Sequence, residues 1–221
     1  ATVGYILNNS GAIVVERGTL QADGGGANRG VVTVNPGAVV AFNSDYTHDS
    51  SSFIAGTGEV RFSGGASIIA GAYDLAGLTT IAGGTARFMA SSVDLPRLVF
   101  SSGTVSSTGT LTVTEAMTWT GGTLTGSGIK VISGTLHING TGPKIISGGT
   151  LELHGRTTWQ GGELDGRYGA VLRNTPGATF AVQGDLRFYY YSGYGARPTF
   201  DNQGALTKSA GAGASTVGYI L

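Results

Sequence analysis

The residues best suited to contact a ligand lie in one aromatic segment. Four of the nine tyrosines fall between positions 189 and 194, and an arginine follows them. A tyrosine ring offers a flat apolar face and a polar tip, which suits it to stack on a sugar or to anchor a partner protein. The segment interrupts the local strand pattern, so we interpret it as an inserted loop; alternatively, its rings cap or cover the hydrophobic fold. The candidate ligand-binding residues are Tyr189, Tyr190, Tyr191, Tyr194 and Arg197.

Residues that could support catalysis are few. Asp165, Arg167, Asp185 and Arg187 come nearest to the group that a polysaccharide-cleaving enzyme needs. Glycoside hydrolysis requires two carboxylates about 5–10 Å apart, whereas the other acids of this chain are scattered singly. Three histidines have no recognisable catalytic partner: His48, His137 and His154. We therefore expect no enzyme and assign no catalytic residue.

A polar stretch over residues 43–52 offers oxygen ligands. Asp45 and Asp49 could contribute to a Ca²⁺ site, since Ca²⁺ takes six to eight oxygens. The stretch lacks the glycine–aspartate nonapeptide of Ca²⁺-binding β-rolls, so we interpret it as a solvated loop and expect no metal and no cofactor. The chain has no cysteine, which removes disulfides, thiolate metal sites and cysteine nucleophiles.

Composition narrows the class of protein further. Glycine contributes 40 of 221 residues, charged residues are only 12%, and 13 basic side chains balance 13 acidic ones. Nucleic-acid binding calls for a basic stripe, which this balance argues against. No apolar run approaches the ~18 residues of a membrane helix, so we expect no membrane insertion by this segment. If the protein is exported, we expect its signal upstream of residue 1.

A short repeated unit must position all of these side chains. It reads glycine, then Thr, Ala or Glu, then an alternating apolar strand, as in Gly11–Val15, Gly58–Phe62 and Gly134–Ile138. Period-2 strands bounded by glycine corners recur about every seven residues, so three of them make a coil of about 20 residues. Glycine supplies the positive φ of a sharp corner, and Thr and Val suit a half-buried pleated surface.

A longer internal duplication supports the coil. The segment 118–126 aligns with 158–166 at a period of 40, which equals two coils, so Trp119 and Trp159 should share a face two coils apart. Strands of a β-sandwich, the main alternative, recur every 8–12 residues through hairpin turns, and Asn-Gly or Asp-Gly pairs are scarce here. We predict an all-β chain, a parallel β-solenoid in which stacked coils bury an inner column, with one domain over residues 1–221.

The same six residues, Thr-Val-Gly-Tyr-Ile-Leu, stand at positions 2–7 and 216–221. We interpret 216–221 as the start of a further tandem copy, with both segments in equivalent places of successive modules. Open solenoid ends recruit other strands, and contacts that do not close give filaments. Neighbouring copies of the module, head to tail, are therefore the expected partners. The predicted module–module interface comprises Thr2, Val3, Tyr5, Ile6 and Leu7 in one copy and Thr216, Val217, Tyr219, Ile220 and Leu221 in the other.

Three sequence segments resemble a known family of repeats. Residues 7–26, 119–128 and 201–209 resemble glycine-rich β-helical repeat regions of large bacterial surface and secreted proteins, such as autotransporter passengers and filamentous-haemagglutinin-like adhesins. The resemblance implies a parallel β-helix in a long exported polypeptide with adhesive, shielding or scaffolding roles. It carries over no catalytic or ligand residue.

These observations lead to one expected function and several alternatives. We expect a structural or adhesive repeat module of an extracellular bacterial fibre, stalk or surface coat, with surface glycans or host proteins as further partners. The first alternative is a carbohydrate-binding adhesin domain that uses the Tyr-rich loop 188–197. A β-helical polysaccharide lyase or hydrolase is a weaker alternative. Ice binding through Thr-x-Thr ranks is disfavoured, because Thr118 and Thr120 become Thr158 and Gln160 two coils later.

Overall fold

The computed structural model describes residues 1–221 and confirms the predicted architecture. The chain is a parallel β-solenoid with coils of about 20 residues; 57% of residues are in strands and 1% in helix. Neighbouring strands come from successive coils and run parallel. A sandwich of antiparallel hairpins is therefore excluded.

The strands form three faces. Face 1 consists of Thr2–Val3, Thr19–Ala22, Val39–Phe42, Glu59–Phe62, Leu78–Ile81, the second parts of Ser92–Phe100 and Thr110–Trp119, Thr135–Ile138, Arg156–Trp159, Thr179–Gln183 and Ala205–Ala210. Face 2 consists of Gly26–Asn28, Tyr46–His48, Ala66–Ile69, Thr85–Phe88, Thr104–Ser107, Gly122–Thr125, Lys144–Ser147, Leu164–Arg167, Arg187–Tyr189 and Thr216–Val217. Face 3 consists of Ala12–Val15, Val31–Val34, Phe53–Gly56, Ala72–Leu75, the first parts of the two long strands, Ile129–Ile132, Thr150–Leu153, Val171–Asn174 and Thr199–Asn202.

About nine coils carry a strand on each face, and a partial coil lies at either end. We number the coils from 1, which begins with Thr2–Val3, to 11, which begins with Ala205–Ala210. The long strands Ser92–Phe100 and Thr110–Trp119 each bend from face 3 onto face 1 without a break. In the first of them the register shifts between Leu95 and Arg97, around Pro96, which marks the corner.

Aromatic and aliphatic side chains fill the interior in columns. Trp119 pairs in register with Ile138, and Ile138 with Trp159, so the two tryptophans lie on face 1 two coils apart, as predicted. Rings in consecutive coils stack on each other: Phe100 and Trp119 are 6.0 Å apart at 10°, and Phe42 and Phe62 are 5.8 Å apart at 25°. No single coil could bury these rings alone, so the columns stabilise the stack of coils.

The period of 40 does not hold on face 2. The sequence alignment pairs Leu124 with Leu164, but the structure aligns Leu124 with Ile146 and then with Gly166. The corner over residues 160–163 separates two strands in coil 9, whereas residues 120 and 121 alone do so in coil 7. The extra corner residues absorb a shift of two positions, and the predicted equivalence is wrong on this face.

Two lysines point into the core and bond to corner carbonyls. Lys130 lies between Leu111 and Leu151, and its Nζ donates to the carbonyls of Gly126 and Gly128 at 3.1 and 2.8 Å. Lys144 donates in the same way to Gly140 and Gly161. Burial lowers the pKa of each lysine to about 8. These ammonium groups satisfy carbonyls that a tight corner would otherwise leave without partners.

Candidate functional site

The first candidate site is the strand edge at each end of the coil. The main-chain N–H groups of Val31 and Asn35 donate to carbonyls of Gly11 and Val15 in coil 1. Alternate residues of a parallel strand bond to opposite neighbours, so the main chains of Ala12 and Val14 face away from coil 2. At the other end the strand Ala205–Ala210 is exposed throughout. Both ends therefore present a row of donors and acceptors that another strand can use.

The first copy of the repeated hexapeptide is loosely held. Val3 O accepts from Asp23 N at 2.9 Å, and Leu7 N donates to Gly25 O at 2.9 Å. Between these anchors Tyr5 and Ile6 are 86% and 72% exposed. The first copy thus keeps its largest side chains in solvent.

The second copy, Thr216–Leu221, is docked on coil 10. Its main chain bonds to coil 10 through Thr216 N to Leu186 O at 3.0 Å, Gly218 N to Phe188 O at 2.8 Å and Ile220 N to Pro198 O at 2.8 Å. The ring of Tyr219 is 4% exposed. It lies 5.6 Å from the ring of Phe188.

The groove that accepts Tyr219, which we call the end slot, is formed by Leu164, Gly166, Phe188, Arg197 and Pro198. The Tyr219 hydroxyl donates to Leu164 O at 3.1 Å. A Cβ on Gly166 would lie 2.6 Å from Tyr219 Cζ and 2.6 Å from Pro198 Cβ, so the glycine makes room for both rings. Arg197 Nε donates to Gly218 O at 2.8 Å and closes the slot. Burial, together with the charge of Asp165, raises the pKa of Tyr219.

The two copies occupy different faces of this chain. Thr2 and Val3 pair with Gln21 and Ala22 on face 1, whereas Thr216 and Val217 pair with Arg187 and Phe188 on face 2. Within one chain the two segments therefore do not occupy equivalent positions of the coil. The coils near the C-terminal end are longer, since Thr179–Gln183 and Ala205–Ala210 begin 26 residues apart on face 1, so 214 residues do not make a whole number of turns.

The second candidate site is the aromatic loop, which is an insertion at the corner between faces 2 and 3 of coil 10. It contains one turn of 3₁₀ helix, Ser192–Tyr194, and folds down against coil 9 through Tyr168 N to Tyr194 O at 2.8 Å. Tyr191 is 54% exposed, and its ring lies 5.5 Å from that of Tyr194. The guanidinium of Arg167 covers the Tyr194 ring at 4.0 Å.

The other predicted ligand residues have partners within the chain. Tyr190 Oη donates to Gly195 O at 2.7 Å. The guanidinium carbon of Arg187 lies over the Tyr189 ring, 4.2 Å from its centre. Arg197 belongs to the end slot. Only Tyr191 of the predicted cluster is both exposed and free of a side-chain hydrogen bond, and it stands beside Tyr194 at the outer surface of the loop.

Sequence reasoning missed Tyr168, which extends this aromatic surface. Its ring is 6.1 Å from that of Tyr194, and 59% of the residue is exposed. Tyr168 has a φ of 53°, while the same corner one coil below has Gly148 at 67°. A left-handed backbone costs an L-residue with a Cβ about 1–2 kcal/mol. The sequence contained one signal for this residue: Tyr168-Gly169 stands at a corner where coil 8 has Gly148-Gly149, so a tyrosine replaces a corner glycine.

The acidic groups considered for catalysis, and Glu163 beside them, each contact a basic side chain. Asp165 is 4% exposed and is held by Arg167 at 2.6 Å. Asp185 lies at the surface, where it binds Lys208 at 3.0 Å and accepts from Gly213 N. Glu163 is 3.7 Å from Arg187. Each carboxylate is thus engaged in a separate ion pair.

The proposed solvated loop at 43–52 is wrong. Tyr46–His48 is a strand of face 2, and Tyr46 and His48 are 3% and 0% exposed. Asp45 and Asp49 stand at opposite ends of this strand, about 13 Å apart for four extended residues. Asp45 accepts from Ala66 N at 2.7 Å, and Asp49 binds Arg29 at 3.0 Å. The alternation Tyr-x-His was a strand signal that the surrounding polar residues obscured.

His48 makes the fold sensitive to acid. Its two ring nitrogens are buried without hydrogen-bond partners, against Phe42 and Tyr46. Burial lowers its pKa to about 4, from 6.5 in the unfolded chain, so its stabilising contribution is complete above pH 6.5 and is lost as the pH falls toward 4. We expect the free energy of unfolding to fall by about 2 kcal/mol from this group between pH 7.5 and pH 5.

Urea unfolding at both pH values measures this loss. His48→Leu should remove it, because leucine fills a similar volume and does not titrate. His154→Ala, at an exposed histidine near Glu152, is the matched control, in which the loss that comes from His48 should remain. An unchanged pH dependence in His48→Leu would contradict the prediction.

No family model, no curated protein and no solved structure matches the chain. No three or more His, Cys, Asp or Glu side chains converge as metal ligands, and the chain has no helix with the length and apolar character needed to cross a membrane.

Proposed function

We propose that this chain is a structural repeat module that stacks end to end with further copies in an extracellular bacterial fibre, stalk or surface coat. The observation that carries the proposal is that both ends of one parallel coil present exposed strand edges along the same axis. A second copy satisfies these edges with the same parallel pairing that joins successive coils. The resemblance to exported repeat regions supports a location outside the cell.

A proline at an edge position tests the stacking. The N–H of Val14 faces the open end, and its side chain is 55% exposed, so Val14→Pro removes one edge donor while leaving the core untouched. Proline is tolerated on edge strands but cannot donate to a ladder. We expect at least a fivefold loss of concentration-dependent assemblies, measured by sedimentation velocity and electron microscopy, with unchanged circular dichroism.

Val14→Thr is the matched control, since it changes the side chain and keeps the N–H. It should assemble like the unaltered chain. If the unaltered chain stays strictly monomeric at millimolar concentration, the stacking proposal fails.

A second candidate function is saccharide binding at the aromatic surface of Tyr168, Tyr191 and Tyr194. The observation that favours it is the strained backbone of Tyr168, a cost that a glycine at this corner avoids. Strained residues concentrate at functional sites. Arg167 fixes Tyr194 from one side, which holds the ring ready for a pyranose at low entropic cost.

Tyr168→Gly separates function from stability. It relieves the left-handed strain, so we expect unfolding free energy equal to or up to about 1 kcal/mol above that of the unaltered chain. Binding to any glycan that a glycan array identifies should fall at least tenfold, as it should in Tyr191→Ala. Tyr189→Ala, which removes a ring stacked on Arg187, is the matched control. An array without hits, or hits that survive both substitutions, would eliminate this function.

A further inference from the structure

The end slot recognises particular residues of the segment 216–221. A Cβ on Gly218 would come within 2.9 Å of Phe188 O, so the third position of the hexapeptide must be glycine. The fourth position must reach Leu164 O with a hydroxyl across two coils while packing on Phe188, which Tyr219 does. The fifth bonds through both its N–H and its carbonyl to one segment of coil 10, from Ile220 N to Pro198 O and from Phe200 N to Ile220 O.

Residues 2–7 carry all of these groups in the same order. In their own chain the corresponding tyrosine and isoleucine, Tyr5 and Ile6, are 86% and 72% exposed and have no comparable pocket. One hexapeptide thus exists in two states, with its tyrosine ring buried in one and exposed in the other.

We infer that the end slot is a receptor for residues 2–7 of a second copy. The incoming Thr2–Leu7 takes the place of Thr216–Leu221, and Tyr5 takes the place of Tyr219 above Gly166. Because the two segments are identical, the slot gains and loses the same contacts, so exchange is reversible and depends on chain concentration. This inference rests on the proposed end-to-end association and specifies which residues join one copy to the next.

A peptide titration tests the slot directly. Tyr219→Ala in the full chain removes the side chain that fills the slot from within. A fluorescent peptide with the sequence of residues 1–9 should then bind this variant at least tenfold more tightly than a matched peptide in which the tyrosine is alanine, measured by anisotropy. The unaltered chain, whose slot is filled, should bind both peptides weakly. If the alanine variant does not fold, the titration is carried out on Tyr219→Phe, which loses only the hydrogen bond to Leu164 O.

Assembly gives an independent measurement. Tyr219→Ala should raise the assembled fraction above that of the unaltered chain, because Tyr5 of a second copy now competes better for the slot. The double variant Tyr5→Ala, Tyr219→Ala should lose this gain. If the two peptides bind folded Tyr219→Ala equally, or if assembly does not depend on Tyr5, the inference about the slot is wrong, while the proposal of edge stacking is unaffected. Peptide binding without any assembly overturns the stacking proposal and leaves the slot.

Discussion

Trp159→Ala is expected to lower the free energy of unfolding by about 3–5 kcal/mol, as large aromatic truncations in packed cores do. The Trp159 side chain is fully buried, and its ring lies 4.6 Å from Phe188 and 6.3 Å from Phe180. Its Nε1 donates to Gly161 O at 3.2 Å and to Gly162 O at 3.0 Å, so truncation also removes this donor from both carbonyls, of which Gly161 O keeps its bond from Lys144. Equilibrium unfolding in urea measures the loss.

The same substitution should weaken the end slot, because Phe188 packs between Trp159 and Tyr219. His137→Ala is the matched control: it lies on the same face one coil below, points outward and contacts Thr158 at 2.9 Å. We expect its effect to stay within about 0.5 kcal/mol. A loss below 1 kcal/mol for Trp159→Ala would mean that the interior column does not hold neighbouring coils together.

The sequence pattern predicted the coil because side-chain alternation and corner spacing are local properties. The strands Glu59–Phe62 and Thr135–Ile138 and the shared face of Trp119 and Trp159 all follow from period 2 and the period of 40. The shift on face 2 does not, because it arises where residues 160–163 make the corner of coil 9 two residues longer than that of coil 7. Corner length changes the register without changing the strand pattern.

The candidate sites were harder to predict, since they depend on contacts between coils. The tyrosine cluster was recognisable as an insertion, but only the folded loop distinguishes Tyr191 from Tyr190, whose hydroxyl is bonded to Gly195. Tyr168 lies 23 positions before Tyr191 in sequence and joins it only through the corner of coil 9. The two hexapeptides were obvious as a repeat, but their different faces reflect the summed lengths of all intervening coils.

Corner glycines serve two physical purposes, of which the sequence pattern suggested one. Gly84 and Gly169 adopt positive φ angles of 59° and 68°, as a sharp corner requires. Gly77 does not adopt a positive φ, yet a Cβ there would overlap the carbonyl oxygen of Gly58 in the coil below. At Gly77 the constraint is the distance between coils, which strand pairing fixes at about 4.8 Å.

Gly77→Ala should therefore lower the free energy of unfolding by about 3 kcal/mol, since adding a methyl to a packed site forces the backbone to shift. The matched control is Gly11→Ala in coil 1, where a Cβ would meet nothing within 4 Å and where the φ is also not positive. Alanine at an unstrained glycine position changes stability little or raises it slightly, by reducing the freedom of the unfolded chain. Urea unfolding of both variants separates the two causes: equal losses would assign the cost to backbone conformation, whereas a loss confined to Gly77→Ala assigns it to the coil beneath.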